Sequence, residues 1–127
     1  MTTLPNLHDG FFDGVWLSAD KQARFFVRTV TGERSTIILT DVKALNICGL
    51  RAGNIIFDLS LIAPNKLTVE EIEQAYDLGS GEVEKAAQVL GRVREQGFSG
   101  LEINSSYGAE GIVIFRTVAT VPGHALG

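Results

Sequence analysis

The sequence predicts an α+β fold: a mostly antiparallel, curled sheet or open barrel of about seven strands with two helices packed on one side, in the order βββββααββ. Three observations predict it. Five stretches between residues 11 and 62 carry strand chemistry, the apolar period lengthens to that of a helix after Pro64, and strand patterning returns after Gly97. Helices gathered into one block, rather than alternating with strands, favour an antiparallel sheet over a parallel one. Mostly apolar strands cannot all face one short helical pair, so curvature or a second strand layer is needed to dry the other face.

Residues 11 to 18, FFDGVWLS, and 23 to 30, ARFFVRTV, are aromatic and β-branched and flank a polar connection. ERSTIILTD at 33 to 41 follows Thr31-Gly32. Pairing Val30 with Glu33 brings Phe26 opposite Ile37 and Phe25 opposite Ile38, which makes the hairpin apolar on both faces. VKALNICG at 42 to 49 is a weaker fourth strand. In NIIFDLSLI at 54 to 62, Ile55, Phe57, Leu59 and Leu61 alternate with Ile56, Asp58 and Ser60, so one face is expected in the core. On that reading Phe57→Ala costs roughly 3 to 5 kcal/mol.

Thr68 and Glu71 stand at capping-box spacing, Val69, Ile72 and Tyr76 share a stripe, and Gly79 is the expected stop. A second helix is expected at about 81 to 96, with Ser80 as N-cap, an apolar stripe of Val83, Ala86, Ala87, Leu90 and Val93, and Gly97 as terminator. Gly91, unfavourable inside a helix, is expected to allow close approach to the sheet. LEINSS and GIVIFRTVATV, joined by YGAE, form the closing hairpin.

The chain has 127 residues, which suits a single domain, and 45% apolar with 20% charged residues suits a globular one. No apolar run approaches the length that spans a bilayer, and the first residues lack the pattern of an export signal, so a cytoplasmic protein without a membrane partner is expected. Cys48 stands alone, so no internal disulfide forms; it reads as a buried, inert thiol. A net charge of −4 argues against nucleic acid as partner. Arg24 and Arg28 share a strand face and read as solvated charges.

No catalytic constellation is complete. His8 and Asp9 are adjacent, and in an extended segment they point to opposite faces, so they form no oriented pair. His8 is either a packed, hydrogen-bonded histidine or an exposed ligand contact. Asp9 and Asp13 lie too far apart along a strand for paired acid and base; each Asp-Gly reads as a turn or bulge device, its carboxylate on local backbone and its glycine at positive φ. With two histidines, His124 in a loose tail, and no multi-cysteine set, neither a metal site nor a cofactor is expected. GSGEVE at 79 to 84 lacks the third glycine and the preceding strand of a dinucleotide turn. The acidic runs at 70 to 73 and 82 to 84 are solvated helix faces. Tyr107 and Glu110, beside Gly108 and Gly111, stand at a hairpin tip, where an aromatic either folds back on the sheet or meets a partner.

LHDGFFDGVW, GNIIFDLSL and SSYGAEGI together resemble small bacterial strand-rich proteins whose first strand follows a His-Asp motif and whose last hairpin carries Ser-Tyr-Gly. Some of these are grouped with immunity-like proteins, which block a partner toxin by surface binding. The resemblance implies that His8, Asp9, Ser106, Tyr107 and Gly108 are the matching positions.

The expected function is that of a non-enzymatic binding or protein-interaction module, an immunity-like role being one version, with His8, Asp9, Ser106, Tyr107 and Glu110 as candidate contacts. The alternatives are a small enzyme using His8 with Tyr107 or Glu110 as acid and base, or a small-ligand carrier with a hollow lined by Trp16, Phe26 or Phe115. Exposed sheet edges leave a homodimer open.

Overall fold

The structure is a computed structural model that describes residues 4–125. Strands β1 (Phe11–Leu17), β2 (Ala23–Arg28), β3 (Arg34–Thr40), β4 (Ala44–Cys48) and β5 (Asn54–Ile62) precede helices α1 (Val69–Ala75) and α2 (Val83–Glu95). Strands β6 (Ser99–Tyr107), β7 (Glu110–Phe115) and β8 (Thr117–Pro122) follow. All eight join one antiparallel sheet in the order β4-β7-β6-β5-β1-β2-β3-β8. The α+β class with a curled, unclosed sheet and two helices is as expected. Among the described residues, no helix is long and apolar enough to cross a membrane.

The expected final strand is two, divided at Arg116, and this division creates the curl. Thr40 faces Thr117 in the β3–β8 ladder and Ala44 faces Ile114 in the β4–β7 ladder, so the two are successive stretches of one bent ladder. The β3–β4 side spends one more residue on the bend than the β7–β8 side, the count of a bulge, and Asp41 turns there with φ 51°. Arg116 locks the corner: its backbone N–H donates to Thr40 O at 3.0 Å, and its Nε donates to Asp41 Oδ2 at 3.1 Å.

Two cores result. Phe12, Phe25, Val27, Ile37, Leu39, Ile56, Leu101, Ile103, Val113 and Phe115 pack together on one face of the sheet. Leu67, Ile72, Ala86, Leu90, Val93 and Phe98 pack the helical layer against Ile112 and Ile114 on the other. Alternate residues of β7 therefore serve different cores, which is why IVIF at 112 to 115 reads as a continuous apolar run.

Helix α1 begins as expected. Thr68 Oγ1 accepts from the Glu71 N–H, and the Glu71 carboxylate accepts from the Thr68 N–H at 2.9 Å. Thr68→Ala is expected to cost about 1 kcal/mol, read as a lower urea midpoint with unchanged slope. The stop differs from expectation: Asp77, not Gly79, takes the left-handed conformation, with Leu78 N–H donating to Glu73 O at 2.8 Å. Gly97 closes α2 in the same manner, with φ 77°. The backbone of Ser80, expected as the cap of α2, opens a 3-10 turn over Ser80–Glu82; α2 follows Glu82, and the Ser80 side chain lies outside the described part. The buried stripe is Ala86, Val89, Leu90 and Val93; Val83 and Ala87 are exposed. Gly91 is exposed too, so it serves no approach to the sheet.

Two strand assignments are corrected by one extra or missing residue each. Thr29 N–H donates to Glu33 O at 2.9 Å across a three-residue loop that ends on Gly32 at φ 94°, which places Phe25 opposite Ile37 and Phe26 opposite Thr36. In β5 the register with β6 shifts between Ile56 and Asp58. Ile56 enters the core and Phe57, the expected core residue, is 51% exposed. Phe57→Ala is therefore expected to cost less than about 1 kcal/mol in a urea titration. In β1 a bulge lies between Phe12 and Gly14, at the expected Asp-Gly. Cys48, expected buried, is exposed.

Candidate functional site

His8 and Asp9 lie in a turn, not an extended segment. Asp9 has φ 61°, Gly10 N–H donates to Leu7 O at 2.8 Å, and Asp9 N–H donates to Ile56 O at 3.0 Å. The positive φ thus falls on Asp9 itself. Gly10 is required for a different reason: a Cβ there would lie 2.4 Å from Arg28 O. The turn brings His8 Nε2 to 3.5 Å from Asp9 Oδ2, so the two side chains face one another after all, both largely solvated. His8 Nδ1 lies 2.9 Å from Phe57 O; a carbonyl can only accept, so the proton belongs on Nδ1. The imidazole also meets the Phe57 ring edge-on at 5.3 Å.

The second motif comes to the same end of β5. Tyr107 pairs with Ile55, and Ser106, exposed, is the residue skipped by the pairing. Tyr107 is 51% exposed, and the Arg51 guanidinium lies 5.6 Å from its ring centroid. Glu110 is exposed and pairs with Cys48 on β4. The structure therefore brings His8, at Phe57, and Tyr107, at Ile55, to the same end of β5 from its opposite edges, and among the described residues no hydrogen bond or ion pair joins His8 to Tyr107 or Glu110. Phe115 lies in the first core, whereas Phe26 packs its ring on His124 and Trp16 carries Arg24, so these three aromatics do not line a common hollow.

What holds this end together is Asn54, a residue without a role in the sequence reading. It is 4% exposed, and its Oδ1 accepts from Arg51 N–H at 2.7 Å and Ala109 N–H at 3.0 Å. Its Nδ2 donates to Arg51 O at 2.7 Å and Phe12 O at 3.1 Å. One amide thus ties the 49 to 53 turn, β1 and the 107 to 110 turn. Gly108, at φ 94°, passes so close that a Cβ would lie 2.3 Å from Asn54 Oδ1. The only signal in the sequence is a polar residue placed immediately before the apolar run Ile55-Ile56-Phe57. Around this anchor stand Phe57, Tyr107 and Leu50, the last 52% exposed.

Asp13 has a separate partnership. Its carboxylate accepts from Arg28 Nε at 2.6 Å and Nη2 at 3.0 Å, and His124 Nε2 lies 3.7 Å away. This bidentate bond holds the Arg28 guanidinium above its ordinary pKa, against a smaller opposing effect of desolvation. Arg28 also covers the Phe11 ring at 4.5 Å, and Arg24 donates to Ala125 O at 2.8 Å, so neither is merely solvated. The tail around His124, expected to be loose, is fastened as well. Thr36 Oγ1 donates to Gly123 O at 2.6 Å and accepts from Ala125 N–H at 2.9 Å; Leu126 and Gly127 lie outside the described residues. Among the described residues, no group of three or more His, Cys, Asp or Glu is placed to hold a metal ion.

The fold and site define an α+β protein whose sheet exposes Phe57, Tyr107 and Leu50 near the Asn54 hydrogen bonds. No family model matches the chain, and neither the curated proteins nor the solved structures contain a match to it.

Proposed function

We propose that this is a non-enzymatic interaction module that binds a protein partner through the end of the sheet carrying Phe57, Tyr107 and Leu50. The observation that carries the reading is the half-exposure of these three large apolar side chains beside a turn that Asn54 makes rigid. Aromatic residues and arginine are enriched where interfaces are fully buried, and Arg51 on the Tyr107 ring supplies both. A scaffold that holds such groups in place lowers the ordering cost of association. His8, Asp9, Ser106 and Glu110 form the polar rim. The net charge of −4 favours a partner of opposite sign, and an immunity-like pairing with a basic toxin is one version of this function.

The test compares wild type with the Phe57→Ala/Tyr107→Ala double variant as baits in bacterial lysate. A partner retained by wild type and lost by an equally stable variant supports the reading. Capture of no partner, together with turnover in a substrate screen that His8→Ala abolishes, would replace it with the enzymatic alternative at the same place.

A further inference from the structure

A second site lies on the helical side and shares no residue with the surface above. The corner between α1, α2 and β4 encloses a cleft of about 170 Å³, open to solvent on one side. Val89, Val93 and Phe98, all buried, form its floor, and Tyr76 forms a wall. Its rim carries Lys43 and Arg92, and no carboxylate lines it, in a chain whose net charge is −4.

The donors at this cleft are largely unspent. Among the described residues, no hydrogen bond or ion pair occupies the Arg92 guanidinium, and none occupies the Tyr76 hydroxyl. Lys43 Nζ stands 5.2 Å from the Phe98 ring centroid and reaches Asp41 only at 3.9 Å. Asp41 is held more closely by Arg116, at 3.1 Å. Burial raises the Tyr76 pKa against a smaller lowering by Arg92, so the phenol keeps its proton at neutral pH and remains a donor.

We propose that this cleft binds a small aromatic carboxylate, its ring against Val89, Val93 and Tyr76 and its carboxylate between Arg92 and Lys43. Size, shape and charge each argue for that class. An apolar cavity of about 150 Å³ accepts a benzene ring, so this cleft has room for one ring and little more. The planar guanidinium fork matches the two oxygens of a carboxylate, with the lysine as a point charge beside it. The apolar floor offers nothing to an inorganic anion, and the cationic rim gives an uncharged ring no counterpart.

The probe is benzoate, titrated into the full chain and followed by amide and side-chain NMR. Shifts centred on Tyr76, Val89, Val93 and Phe98 are expected. Arg92→Gln, an exposed position, is expected to keep the urea midpoint of wild type and to weaken benzoate binding about tenfold. Lys43→Gln is expected to weaken it by a smaller factor, and benzyl alcohol, the same ring without the charge, to bind at least about tenfold more weakly than benzoate. The proposal is overturned if benzoate leaves these resonances unmoved, if a folded Arg92→Gln binds it as wild type does, or if benzyl alcohol binds equally well.

Discussion

Gly111→Ala is expected to destabilise the protein by about 3 kcal/mol or more, although it adds a single methyl group. Gly111 lies in β7 between Ile47 of β4 and Ile103 of β6 and is buried. A Cβ there would lie 1.9 Å from Asn46 O and 2.8 Å from Ile47 Cα. Both are backbone atoms, so no side-chain rotation relieves the overlap, and β4 must move as a unit. That movement does not stay local. Asn46 Nδ2 donates to Gln74 O at 2.7 Å, which ties β4 to the end of α1, and Ala44 packs in the helical core. Gly91→Ala is the matched control: its Cβ meets nothing within 4 Å, and inside a helix alanine is favoured over glycine by about 1 kcal/mol. The two variants should move the urea midpoint in opposite directions. An unchanged midpoint for Gly111→Ala would mean that β4 is not held where the structure places it.

Asn54→Ala is expected to cost roughly 3 to 5 kcal/mol, because it breaks two buried and two part-buried hydrogen bonds at once and each buried group left unpaired costs about 1 to 3 kcal/mol unless water replaces the amide. The N–H groups of Arg51 and Ala109 lose their acceptor, and Phe12 O and Arg51 O lose their donor. Amide exchange at Arg51 and Ala109 should accelerate more than exchange in β2 or β3, which touch none of these bonds. Asn54→Asp separates the two halves of the role. Its carboxylate still accepts from both N–H groups but cannot donate to the carbonyls, so at neutral pH it should fall between wild type and the alanine variant. Its deficit should shrink as pH falls and the carboxyl gains a proton to donate. Equal stability of Asn54→Ala and wild type would remove the anchor on which the proposed interaction surface depends.

The legible parts of the fold are those governed by neighbours in the chain. The capping box at Thr68 and Glu71 and the stop at Gly97 depend on a few consecutive residues, and the structure places both as expected. The aromatic and β-branched content of β1 to β3 identified strands, but the register expected for β2 and β3 is off by one residue. There one residue decides: the Phe12–Gly14 bulge, the Ile56–Asp58 shift and the loop ending on Gly32 each reassign the faces of the residues beyond them. Phe57 and Ile56 exchange places for that reason, and Phe26 meets Thr36 instead of Ile37. The candidate site was legible in the same measure. His8 and Tyr107 were named and do approach one end of β5, but the residue that ties the turns there to β1, Asn54, bonds to Phe12 and Ala109 across 42 and 55 positions of the chain.

Apart from the division of the last strand at Arg116, the kind and order of the strands and helices were determined by sequence alone, since side-chain period, capping residues and turn formers act within a few positions of one another. Only the tertiary structure decided which face of each strand is buried, how one long ladder bends at Asp41 and Arg116 into two, and which exposed side chains share a surface. A single inserted residue leaves composition and period almost unchanged yet rotates everything after it, and its position is settled by the strands it must fit.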